Sequence, residues 1–151
     1  MITEKGRILA VDYGLKRVGI AVTDPMQIIA TPLITMQSDQ LFTFLQAYIQ
    51  KEKVTSFVMG MPMKLNGKPS EMSLVVERIG NKIKKSFLKQ RLYYQDERFS
   101  SKLAAQGLYQ AGYNKKERKD KTNIDKVSAA IILQSFLNSQ DYLAISDKPV
   151  A

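Results

Sequence analysis

The chain has 151 residues, 44% of them hydrophobic and 25% charged, and its 23 Lys and Arg against 14 Asp and Glu give a formal net charge of +9. That is enough chain for one core of ordinary size, with the composition of a soluble globular protein. It contains no histidine and no cysteine, which excludes disulfide scaffolds, thiolate or imidazole metal sites and any catalysis needing those side chains, so a bound metal must be a hard, oxygen-liganded ion such as magnesium or manganese.

No apolar run approaches the roughly 18 residues of a membrane span. Met1 to Lys5 has no apolar signal core behind it. The expectation is a cytoplasmic protein with no membrane partner. The charge is uneven along the chain. Residues 1–60 carry 6 basic and 5 acidic side chains, residues 61–122 carry 15 and 6, and residues 123–151 carry 2 and 3. The basic middle has the character of a footprint for a polyanion.

Arg7-Ile8-Leu9-Ala10-Val11-Asp12-Tyr13-Gly14 begins as a strand buried on both faces and ends in a carboxylate, with a glycine two residues on for a sharp turn. Asp12 alone reads as a turn-capping residue. Leu15-Lys16-Arg17 is a short connection into Val18 to Thr23, so the first two strands should form an antiparallel hairpin. Ile28 to Thr35 follows as a third strand, with Pro32 marking an edge position or a break in pairing. Ser38 or Asp39 caps a helix with Leu41, Phe44, Leu45, Tyr48 and Ile49 at helical spacing.

Val54 to Gly60 is a buried strand, and the strand–helix–strand order implies a parallel pair. After the long loop from Gly60 to Ser70, a helix runs through Leu74, Val75, Ile79 and Ile83, with lysines near its end where the helix dipole favours them. Arg91 to Glu97 is the next strand and ends in two acids, Asp96 and Glu97, which point to opposite faces. A helix capped by Ser100 or Ser101 is expected to end near Gly112. The basic run 115–121 reads as an exposed loop or a phosphate-contacting arm. Asn123 to Leu137 is a broad-faced apolar helix with Asp125 in its first turn, where an acid is favoured by the dipole alone. Residues 140–151 read as a short tail after a single domain spanning 1–139.

The order predicts an α/β fold, a mixed central sheet led by an antiparallel hairpin, with helices on its faces. Parallel neighbours end on the same side of the sheet, so Asp12 can meet an acid from the later strand there.

Four blocks carry a resemblance: Val11 to Asp24; Gly60-Met61-Pro62 with Asn66-Gly67; Asp96-Glu97-Arg98-Phe99-Ser100-Ser101; and Ile124 to Ala130 with Ile131, Leu133 and Gln134. Together they resemble the YqgF/RuvX-type family, described as Holliday-junction resolvases and as nucleases of pre-16S ribosomal RNA. The resemblance spans nearly the whole chain; Ser128 stands where the family usually has alanine. It implies a ribonuclease H-like fold and an acidic triad on Asp12, Glu97 and Asp125, choosing Glu97 over Asp96.

Three clustered carboxylates need divalent cations, Mg2+ or Mn2+, and two such ions can carry phosphodiester hydrolysis without histidine. Arg98 or Lys16 would hold the scissile phosphate, and Arg17 with Lys115, Lys116, Arg118, Lys119 and Lys121 would follow the backbone. The expected activity is metal-dependent nuclease action on structured RNA, in processing the 5′ end of pre-16S rRNA. The alternatives are resolution of branched DNA and a non-catalytic RNA-binding assembly factor. An actin-like ATPase would need a second phosphate loop and a second domain, which this length does not supply. Monomer and homodimer both remain open.

Overall fold

The computed structural model of the chain describes residues 4–97, 112 and 114–146. The helix expected between Ser100 and Gly112 falls outside them, as does Arg98. The elements are β1 (Arg7–Tyr13), β2 (Arg17–Thr23), β3 (Ala30–Gln37), α1 (Leu41–Lys51), β4 (Val54–Met61), α2 (Glu71–Ser86), β5 (Arg91–Asp96), α3 (Lys115–Lys119), α4 (Lys121–Leu137) and α5 (Gln140–Ser146).

The five strands form one mixed sheet in the order β3-β2-β1-β4-β5. β1 pairs antiparallel with β2, β2 antiparallel with β3, and β4 lies parallel to both β1 and β5. The hairpin-led sheet is therefore as expected, with β3 at an edge and its register shifting beside Pro32. β3 begins at Ala30 rather than Ile28 because Asp24 holds the preceding turn. Its carboxylate accepts from the N–H groups of Met26, Ile28 and Ile29 at 2.7–3.0 Å, and Gln27 takes a left-handed φ of 61°.

Strand alternation divides the core into two layers. Leu9, Val11, Phe57 and Met59 pack with Leu41 and Leu45 of α1 and Val76, Ile79 and Ile83 of α2. Ile8, Ala10, Ala21 and Val58 pack on the other face with Ala129, Ile132, Leu133 and Phe136 of α4. Fully burying a side chain of this size is worth about 1.5–3 kcal/mol, so the two layers fix which face each strand residue takes. The placement of the acids depends on that parity.

Other expectations also need correction, among them the cap of α1, which is Gln40 rather than Ser38 or Asp39. Leu74 is 70% exposed, and the buried stripe of α2 is instead Ser73, Val76, Ile79, Gly80 and Ile83. Ser73 can take that stripe because its hydroxyl donates to the Pro62 carbonyl and accepts from the Ser70 N–H at 2.9 Å, so its polarity is satisfied. The basic run is not a loop throughout: Lys115–Lys119 is a short helix, started by a reciprocal cap in which Asn114 and Glu117 bond each other's backbone N–H groups. Part of the tail is also helical. In α5, Tyr142 is 8% exposed, its ring lies 5.8 Å from that of Phe136, and its hydroxyl donates to Gln27 Oε1 at 3.0 Å.

Candidate active site

Asp12 shares its β1 face with Ile8 and Ala10, the face covered by α4. Glu97 lies just past β5 and follows Tyr93 and Gln95 on the same face. Asp96 follows Leu92 and Tyr94 onto the α2 face. Parity thus puts Glu97, and not Asp96, beside Asp12. β4 lies between their two strands, and at the point where the carboxyls must cross it stands Gly60. A Cβ there would sit 2.6 Å from Glu97 Oε2 and 2.6 Å from Ile132 Cδ1. The missing side chain is the space in which the two acids meet.

Both groups are partly buried and their carboxyls are hydrogen-bonded to each other. Glu97 is pushed up to about 8, first by burial, then by the charge of Asp12 and the bond to it, and then by Asp96. Asp12 is raised to about 6, by burial first and the charge of Asp125 second, with the Glu97 bond pulling the other way. Burial and mutual repulsion thus hold both carboxyls above the usual carboxylate range and favour a proton shared between them. Two carboxyls packed so that they cannot both ionise form an arrangement that a cation would relieve.

Asp125 reaches the site from the first turns of α4, which comes close to the sheet because β2 carries Gly19 opposite Asp12. A Cβ on Gly19 would collide with the backbone carbonyl of Asp125. Asp125 Oδ2 accepts from Arg17 Nε at 2.9 Å. Arg17 lies two residues before Gly19 and so faces α4 as well. Its side chain is 37% exposed and that of Asp125 26%, so the pair contributes about 1 kcal/mol or less to stability. Its importance is positional, because Arg17 is committed to the third acid rather than extended along a surface.

The structure thus joins Asp12 and Glu97 and brings Asp125 within electrostatic range of Asp12, with its carboxylate engaged by Arg17. Among the described residues no three acids close into a ready-made metal cage. The donor set still suits a hard divalent cation: all oxygen, with a proton shared where a cation's charge is wanted. Lys16 is exposed in the β1–β2 turn, a turn anchored by Ser38, whose hydroxyl donates to the Leu15 carbonyl at 2.6 Å. Lys115 and Lys116 are exposed on α3; Arg118 and Lys119 belong to the same helix, and Lys121 opens α4.

Sequence reasoning missed the two glycines and the Arg17–Asp125 pair. Glycine inside an apolar strand does signal a close approach, but what approaches cannot be read from it.

A family model described as "RuvX: Holliday junction resolvase" matches residues 6–139. The chain belongs to this family. Three similar relatives carry the name "Putative pre-16S rRNA nuclease". The protein of Amoebophilus asiaticus is 48% identical over 134 residues, 89% of this chain and 95% of its own. That of Flavobacterium psychrophilum is 45% identical, covering 87% and 96%. The Porphyromonas gingivalis protein is 43% identical, covering 90% and 99%. Among the described residues, no helix is long and apolar enough to cross a membrane.

Proposed function

We propose that the chain is a metal-dependent nuclease, on a ribonuclease H-like fold, that hydrolyses phosphodiester bonds in processing the 5′ end of pre-16S rRNA. The observation that carries the reading is the meeting of Asp12 and Glu97 over Gly60 at the sheet edge. The shared names of the relatives support the RNA substrate. The family model's own description supports branched DNA as the second reading.

Asp12 and Glu97 would hold the cation once their shared proton leaves, with Asp125 as third ligand. Bound divalent cations would supply a water of lowered pKa and a stabilised leaving oxygen. The protein's own part is positioning. Gly60 and Gly19 let the acids approach, burial in the α4 layer excludes bulk water from one side, and Arg17 is held beside Asp125 by its ion pair. Were Asp125 to ligate a cation, Arg17 would be released to take a phosphate oxygen by its guanidinium fork. Contacts of that kind carry no sequence information, so selectivity must come from the substrate's shape.

The test is cleavage of a labelled RNA carrying the 16S 5′ flank beside a four-way DNA junction, each with magnesium, manganese and a chelator. Metal-dependent cutting of the RNA in preference to the junction is expected. Preference for the junction would replace the RNA reading with the DNA one, and cutting of neither would overturn nuclease function.

A further inference from the structure

The acids account for one edge of the sheet but not for most of the chain's positive charge. From Arg78 to Gln95 there are six basic residues and no acid. On α2 the buried stripe is Ser73, Val76, Ile79, Gly80 and Ile83. Arg78, Lys82 and Lys85, spaced by four and three residues, fall on the opposite side and are exposed, and Lys89 is exposed just beyond the helix end. Lys84 is not part of this row, since its Nζ lies 5.8 Å from the Tyr94 ring centre. The helix dipole accounts for cations in the last turn only. It does not account for Arg78, two turns earlier.

The row has a direction. α2 starts at the edge that bears the acids: Ser70 Oγ donates to the Pro62 carbonyl at 2.7 Å, and the neighbouring Met61 carbonyl accepts from the Glu97 N–H at 3.2 Å. It ends at the far edge, where Gln90 Nε2 donates to the Val54 carbonyl at 3.3 Å. Its 16 residues cover about 24 Å at 1.5 Å each. The loop that leads into it carries Lys64 and Lys68, both exposed. The first two turns of α2 carry exposed Glu71 and Glu77, and the positive charge lies beyond them, from Arg78 to Lys89, on the side away from α4.

We propose that the outer face of α2 is a backbone track for a duplex arm of the nucleic-acid substrate, gripping phosphates away from the scissile bond. The proposal rests on the nuclease reading for the identity of the polyanion. A straight row on a rigid helix suits a straight, stiff ligand. At the 3.4 Å per phosphate of B-form DNA the length of α2 matches about seven base pairs, and an A-form RNA arm, with its shorter rise, needs a few more. Substrates with a shorter arm cannot use the whole row.

The test compares the chain with an Arg78→Gln/Lys82→Gln/Lys85→Gln/Lys89→Gln variant in binding two RNAs without divalent cation, one with a ten-base-pair arm and one with a four-base-pair arm. All four positions are exposed, so an unchanged melting temperature confirms that the variant is folded. On the long arm the variant's slope of log K against log salt should be smaller by about three to four units, near 0.9 per lost contact. On the short arm the change should be one unit or less. Equal changes on both arms would mean a diffuse field, and no change on either would leave the row facing some other acidic partner; both overturn the track. Cleavage by the unsubstituted chain is the separate readout: its absence overturns the nuclease reading whatever the slopes show.

Discussion

Glu97→Gln should abolish phosphodiester cleavage and, without divalent cation, make the fold more stable at pH 8. The two effects share one cause. Glu97 is raised in the folded protein from its ordinary 4.5 to about 8, so between those values the folded chain binds a proton that the unfolded chain has released. Stability from this group is complete below about pH 4.5 and is lost as pH rises through about 8. Asp12, raised to about 6, adds a loss of the same sign over a lower window. A glutamine keeps the shape and the hydrogen bond without the charge. It should gain about 0.5–2 kcal/mol at pH 8, the scale of a favourable single change, and the gain should fade by pH 4.5. Thermal unfolding across that range measures it. Asp12→Asn should behave alike. Asp125→Asn should also abolish cleavage with little net change in stability, because it loses a partly exposed pair with Arg17 worth about 1 kcal/mol or less while relieving repulsion on Asp12. Near wild-type cleavage by any of the three would remove that residue from the site.

Gly19→Ala is expected to cost more than any other single methyl group near the site. Its Cβ would meet backbone, the carbonyl of Asp125, so no side chain can rotate aside and α4 itself must lift. Overpacking of this kind costs about 1–3 kcal/mol. Moving Asp125 by an ångström should lower cleavage by about a hundredfold. Gly60→Ala makes the instructive comparison. It meets two side-chain ends, Glu97 Oε2 and Ile132 Cδ1. Glu97 can swing away, although Ile132 is 2% exposed and has little room. Activity should fall as far as in Gly19→Ala, with a smaller loss of stability. Melting temperature and cleavage rate on both variants give the check, and wild-type activity in Gly60→Ala would mean the acids need not meet over that strand.

Much of the architecture was legible because it is local. Apolar runs marked the strands, and the three-residue gap between Tyr13 and Arg17 forced a hairpin. Asp12 could be picked out as a carboxylate at the end of a buried strand. Choosing Glu97 over Asp96 was different. Alternation separates the two, but which face matters depends on α4 covering it, a contact between distant parts of the chain. The resemblance to the family made that choice before the geometry did. The Arg17–Asp125 pair spans 108 positions, and no spacing rule reaches so far. Leu74 was misplaced for a smaller reason: a serine took the buried register because the Pro62 carbonyl was there to receive it. The basic middle of the chain was visible as a count, but only the fold turns part of it into a row along α2.

On the proposed reading, Asp12 and Glu97 share a proton at the place where a divalent cation would bind. Crystals of the chain soaked in manganese at pH 8, with anomalous scattering recorded at the manganese edge, test it without reference to any substrate. The shared proton must leave for the ion to bind, so occupancy should rise with pH toward about 8. The expected result is manganese bridging Asp12 and Glu97, with Asp125 turned from Arg17 to join them. Manganese bound only elsewhere on the surface, with the two carboxyls still hydrogen-bonded to each other, would contradict it.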